Sequence, residues 1–168
     1  MARTRVLVVD DERDMLDVCS DVLGKLPDVD LQVETQGARA LERLGNETFD
    51  LLLTDVRMPR VGGLELVRAA RERDPQTAIL VFTAYPSVES AVEAMKLGAN
   101  DYIAKPFLPD DLLRVASRLL EARRLRDENQ LLERHLERDY GFEEILGASA
   151  PMLGVFETIR RVAEIEAD

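Results

Sequence analysis

Tryptophan is missing from this 168-residue chain, and cysteine and histidine occur once each. A lone Cys19 cannot close an internal disulfide, so the fold must rest on its core, and a reducing, cytoplasmic setting fits. Cys19 itself falls at an apolar helical position and is expected inside. The lone His135 lies on a helix dense in charge and reads as a surface residue, which leaves a Ser-His-Asp triad without support. No apolar run approaches the roughly 20 residues of a membrane span. The opening residues turn at once into a strand-like run and lack a signal peptide's apolar stretch. Positive charge is in short supply: the net charge is −11, which argues against nucleic acid or an anionic membrane as a direct partner. No G-x-x-x-x-G-K-[ST] loop is present, so ATP hydrolysis by these residues is not expected.

What the chain does have is alternation. Short apolar runs at Arg5–Val9, Leu31–Thr35, Leu51–Thr54, Ala78–Phe82 and Asp101–Ala104 are too short for helices and read as strands. Helical patterns lie between them. Met15, Val18, Cys19, Val22 and Leu26 form one stripe. Ala38–Leu44 ends near Gly45-Asn46, and Leu64–Arg73 begins after Gly62-Gly63 and stops at Pro75. Ser87 can cap a helix whose Val88, Ala91, Val92 and Met95 share one apolar face and which Gly98 ends. Such alternation implies an α/β fold, a doubly wound five-stranded parallel sheet with helices on both faces. Right-handed crossovers and five units favour the flavodoxin-like strand order 2-1-3-4-5.

From Pro109 the pattern changes. Pro109, Asp110 and Asp111 suit a first helical turn, and no glycine or proline follows until Gly141. A helix of about 30 residues is about 45 Å long, more than a small sheet can cover. Leu125, Asn129, Leu132 and Leu136 step by four, three and four, the spacing of a heptad seam, and Asn129 at a core position would set register in a two-stranded coiled coil. A solvated helix with i,i+4 ion pairs is the alternative. The expected organisation is a domain over 1–122, a long helix and linker over 109–140, and at 141–168 the opening of a further domain.

Function is most legible at the strand ends. Asp10 and Asp11 follow the first run, Asp55 the third, Thr83 the fourth and Lys105 the fifth. In the order 2-1-3-4-5 these ends lie side by side where such sheets bind ligands, with neighbouring strands about 4.8 Å apart. Like charges about 5 Å apart cost about 3 kcal/mol per pair at an effective dielectric of about 20, so an empty pocket should raise the carboxylate pKa values. A hard cation would relieve that repulsion. Oxygen ligands without nearby histidine or cysteine favour Mg²⁺, with Mn²⁺ also acceptable and Zn²⁺ disfavoured. A carboxylate, a hydroxyl and an ammonium beside Mg²⁺ suit phosphoryl transfer, in which an aspartate can be the nucleophile.

The segments Val8-Val9-Asp10-Asp11-Glu12, Thr54-Asp55-Val56-Arg57-Met58-Pro59, Phe82-Thr83-Ala84 and Tyr102-Ile103-Ala104-Lys105-Pro106-Phe107 resemble the signatures of response-regulator receiver domains over residues ~3–122. The resemblance implies phosphorylation of Asp55 by a histidine kinase. It implies Mg²⁺ on Asp11, Asp55 and the Arg57 carbonyl, with Asp10 bound through water. Thr83 and Lys105 would grip the phosphoryl oxygens, Lys105-Pro106 would be a cis peptide, and Tyr102 would repack when Thr83 moves inward. Arg57 and Tyr85 would tune phosphate lifetime. A receiver is a signalling module rather than an enzyme, apart from slow loss of its own phosphate.

The long helix followed by Ile145-Leu146-Gly147-Ala148-Ser149-Ala150-Pro151-Met152 resembles the NtrC-type activators of sigma-54 RNA polymerase, in which an AAA+ ATPase domain begins here. That implies a homodimer through the long helix, whose arrangement phosphorylation alters, and sigma-54 polymerase as a downstream partner. Two rival readings remain: an aspartate-nucleophile phosphohydrolase using Asp10, although Glu12 stands where such enzymes place a second aspartate, and a phosphate-independent dimerisation module.

Overall fold

The computed structural model describes residues 3–139, with side chains through residue 135. Five strands and five helices alternate: β1 Thr4–Val9, α1 Arg13–Leu23, β2 Val29–Glu34, α2 Gly37–Asn46, β3 Leu51–Asp55, α3 Gly63–Arg73, β4 Ala78–Thr83, α4 Val88–Lys96, β5 Asp101–Ala104 and α5 Pro109–Asp139. All strand pairs are parallel, in the order β2-β1-β3-β4-β5, as the alternation led us to expect. β2 runs Val29–Glu34 rather than Leu31–Thr35 and lies at an edge, where Asp30, Gln32 and Glu34 are half-buried and Val33 is exposed.

Every residue of β3 and β4 is buried, because both sheet faces are covered. Alternate residues sort to opposite faces. Val6, Val8, Leu51, Leu53, Leu80 and Phe82 meet α1 and α5 through Leu16, Cys19, Leu112 and Ala116. Leu7, Val9, Leu52, Ile79 and Val81 meet α2, α3 and α4 through Ala40, Leu44, Leu66, Val67 and Ala94. A one-residue register slip would exchange these two cores.

On α1 the expected stripe holds at Cys19 and Val22, which are buried, and at Met15 and, just past the helix, Leu26, which pack against the core; of the stripe only Val18 is exposed, and Leu16 and Leu23 are buried beside it. The expected stripe on α4 is turned. On α4, Val88, Val92 and Met95 face solvent and Ala91 is half-buried, whereas Ala94 is the buried residue. The small Ala94 lets α4 lie close to the sheet, so bulk on the next ridge points outward. Ser87 caps α4 as expected, accepting the Ser90 N–H at 3.1 Å, and Ser90 completes a capping box.

The chain divides into two compact units, Met1–Asn129 and Gln130–Asp168, and α5 is continuous through Asp139. In the first unit α5 packs with Leu112, Val115, Ala116 and Leu119, after which Leu125 and Asn129 are exposed. In the second, Leu131, Leu132 and His135 are exposed. The Leu136 side chain and residues 141–168, where a further domain was expected to open, lie outside the described residues.

Candidate functional site

Asp10 directly follows β1, Asp55 closes β3, Thr83 closes β4 and Lys105 directly follows β5. The registers Asp55↔Phe82 and Thr83↔Ala104 bring these ends level. Asp10 is fully buried, Asp55 is 4% exposed and Thr83 1%. The Lys105 Nζ donates to Asp10 Oδ2 and to Asp55 Oδ2, each at 2.5 Å, so one ammonium ties two buried carboxylates together.

A repeated local device aims these groups. Asp10 Oδ1 accepts the Glu12 N–H at 2.9 Å, Asp55 Oδ1 accepts the Arg57 N–H at 2.8 Å, and Thr83 Oγ1 accepts the Tyr85 N–H at 3.2 Å. Each strand therefore ends in a turn closed by a side-chain oxygen on the N–H two residues on, which these residue types favour. The Lys105 N–H donates to the Thr83 carbonyl at 2.7 Å, and its Nζ lies 4.9 Å from the Phe82 ring centroid. Phe107 packs edge-on against Phe82 at 6.0 Å. The Lys105-Pro106 peptide is cis.

Burial is the main cause that holds the Asp10 pKa above the ordinary carboxylate value. The Lys105 and Glu12 bonds pull it down, and the charge on Asp55 adds the smallest upward push. That corrects the expectation that like-charge repulsion dominates, because Lys105 lies between the two acids. On Lys105 burial disfavours the charge, but the bonds to Asp10 and Asp55 outweigh it and raise the pKa.

Asp11 is placed differently from Asp10. It is exposed, and among the described residues no three acidic, histidine or cysteine side chains stand together as a ready cage for a metal. Neighbours in an extended chain point to opposite sides, so when Asp10 turns inward Asp11 turns out. The donors at hand are nonetheless all oxygens: two carboxylates, backbone carbonyls and Asp11 at the rim. Such a set fits Mg²⁺, which keeps several waters and needs only one or two carboxylates.

Arg57 and Tyr85 are exposed, and the Arg57 guanidinium carbon lies 4.9 Å from the Tyr85 ring centroid. The turns after β3 and β4 are thus bridged by a cation–π contact. Tyr102 is half-buried, and its hydroxyl lies 2.9 Å from Ser90 Oγ, joining β5 to the first turn of α4. The sequence reading missed Ser90; the only signal was its place three residues after a capping serine. Leu125, Asn129 and Leu132 are all exposed on α5, and the Leu136 side chain is not described.

Residues 6–117 match the family described as "Response regulator receiver domain". The response regulator protein PilR of Pseudomonas aeruginosa is 36% identical over 99% of this chain, which covers 35% of PilR. The chain thus spans about a third of that relative's length. Among solved structures, the BeF3-activated receiver domain of DrrB, a Thermotoga maritima protein, superposes with a TM-score of 0.66 at 31% identity, covering 71% of this chain and 98% of that one. NtrX from Brucella abortus in complex with ADP superposes with a TM-score of 0.70 at 29% identity, covering 96% of this chain and 34% of NtrX.

Proposed function

The chain belongs to the response regulator receiver domain family, and on that premise we propose that Asp55 accepts a phosphoryl group from a histidine kinase in a Mg²⁺-dependent reaction. An Asp55 carboxylate oxygen forms a bond to phosphorus as the phosphorus–nitrogen bond of the donor's phosphohistidine breaks, and the departing imidazole takes up a proton. The observation that carries this reading is the pairing of Asp10 and Asp55 on the single Nζ of Lys105. Two buried acids sharing one ammonium leave the pocket short of positive charge, the condition a divalent cation relieves. Asp11, Asp55 and the Arg57 carbonyl would hold Mg²⁺, with Asp10 reaching it through water. When bound, the cation would offset charge on the transferring group. Lys105 and the Thr83 hydroxyl would bind phosphoryl oxygens, and the Arg57–Tyr85 contact would limit the access of water and so set the lifetime of the phosphate.

The energy available suits a switch. Two charge-assisted hydrogen bonds are worth about 3–6 kcal/mol, and moving a conformer from 1% to 99% takes about 5.5 kcal/mol. Withdrawal of Thr83 toward the phosphate would let Tyr102 leave Ser90 and reshape α4, β5 and the start of α5. The exposed Leu125, Asn129 and Leu132, continued by Leu136, would form a homodimer seam that responds. In the longer protein this would govern a following AAA+ ATPase that acts on sigma-54 polymerase in the cytoplasm. Among the described residues no helix is long and apolar enough to cross a membrane.

The test combines acetyl phosphate, Mg²⁺ and peptide mapping with sedimentation in the presence of beryllofluoride. Phosphate on Asp55, and a changed dimer equilibrium that Asp55→Ala abolishes, support the reading. Phosphate on Asp10 would instead favour a phosphohydrolase, and a dimer indifferent to beryllofluoride a phosphate-independent dimerisation module.

A further inference from the structure

The segment that follows Asp55 is held at both ends by a glycine whose missing side chain leaves room for backbone. Gly63 opens α3, and a Cβ there would stand 1.9 Å from the Asp55 carbonyl oxygen. Gly37 opens α2, and a Cβ there would stand 2.2 Å from the Val61 carbonyl oxygen and 3.0 Å from the Val61 Cβ. Both glycines are buried. Between these contacts the chain carries Arg57, whose N–H donates to Asp55 Oδ1 at 2.8 Å. The path is tight: Arg60 has a φ of 71°, the Val61 N–H donates to the Pro59 carbonyl at 2.9 Å, and the Gly63 N–H donates to the Val56 carbonyl at 3.0 Å. A left-handed arginine persists only where its surroundings enforce it.

We propose that Gly37 is a positioning residue for the acceptor site. By letting the first turn of α2 abut the Val61 carbonyl, it sets the path of residues 56–63 and so the Arg57 N–H and carbonyl beside Asp55. The part of this that concerns Mg²⁺ rests on the function proposed above. A methyl group 2.2 Å from a carbonyl oxygen cannot be relieved by rotating a side chain, because the obstacle is backbone. Either α2 or the 56–63 segment must move. α2 is anchored in the core by Ala40 and Leu44, and at the sheet edge by Arg43, which donates to Gln32 at 2.8 Å and pairs with Glu34 at 3.3 Å. The segment is therefore what yields.

Gly37→Ala tests this in the whole chain, with Gly45→Ala as its partner. Gly45 lies in the same helix with nothing within 4 Å of its added Cβ, so alanine there should raise the unfolding temperature through helix propensity. The readouts are Mg²⁺ affinity by calorimetry, hydrogen exchange of the Arg57 amide without metal, and the unfolding midpoint. We expect Gly37→Ala to weaken Mg²⁺ about 10-fold or more, the scale of losing support behind a metal ligand, and to speed exchange at Arg57. The double variant should regain midpoint while keeping both defects. Unchanged affinity and unchanged Arg57 protection in Gly37→Ala would overturn the proposal, as would recovery of both together with the midpoint in the double variant. A wild-type chain that takes no Mg²⁺ would strike the function proposed above instead, and the Arg57 amide would still decide the role of Gly37.

Discussion

Charge gathers at both ends of this sheet, but it is built differently at each. At the carboxyl ends, Asp10 and Asp55 are almost wholly enclosed and share a single, equally enclosed cation, Lys105. At the amino ends, Arg5 bonds Glu47, the Thr48 carbonyl and, at 4.0 Å, Asp30, and lies over the Phe49 ring at 4.9 Å. Arg123 of α5 stands 3.1 Å from Asp50 and from Asp74, with Asp127 at 3.6 Å. Its Nε faces Asp50 without hydrogen-bond alignment. Most of these amino-end carboxylates keep substantial contact with water. Asp10 and Asp55 do not, and burial holds the Asp10 pKa up. An exposed network fastens elements together, whereas an enclosed, undercompensated one is poised for a ligand.

The sharpest way to break this contrast is Asp55→Asn. The amide should abolish phosphate incorporation from acetyl phosphate, read by mass spectrometry, while the fold persists because its partner Lys105 keeps Asp10. Next in size is Lys105→Met, which strands two buried acids. It should lower the unfolding free energy by about 3–5 kcal/mol without Mg²⁺, and by less when Mg²⁺ is added to the denaturant titration. The sign of the pH dependence follows from the raised Lys105 pKa. The stabilisation is full below the unfolded value of 10.5 and lost as pH climbs through the higher folded value. The gap between wild type and Lys105→Met should thus close only in strongly alkaline solution.

A smaller effect is expected at the other end. Arg123→Met should cost about 1.5–3 kcal/mol, the range for hydrogen bonds to charged groups, and Mg²⁺ should not restore it. Rescue by Mg²⁺ there would erase the distinction between the two ends. The smallest effect is an expected silence. Burial, with a further push from Asp10, raises the Cys19 thiol to about 12. At pH 8 iodoacetamide should label it only after denaturation, and rapid labelling of the native chain would show the core beside Asp10 to be open.

The strand ends were legible because each short apolar run stopped at a polar residue, and parallel topology leaves few ways to arrange five of them. The orientation of α4 was not: Val88, Val92 and Met95 keep helical spacing whether they face the core or water, and only the close fit of Ala94 against the sheet decides. Asp10 and Asp11 are neighbours in sequence, yet only the folded backbone turns the first inward and leaves the second exposed. Ser90, Gly37 and Arg123 escaped notice because they meet Tyr102, Val61 and Asp74, each 12 residues or more away in the chain.

Composition and periodicity thus determined the layers, the strand order and the gathering of Asp10, Asp55, Thr83 and Lys105 at one sheet edge, since burial of apolar faces and right-handed crossovers act through local pattern. Tertiary structure alone decided that Lys105 bridges Asp10 and Asp55, that α4 turns its bulk outward and that α2 leans on the loop beyond the pocket. Those outcomes depend on distances between atoms far apart in sequence, which spacing along the chain does not encode.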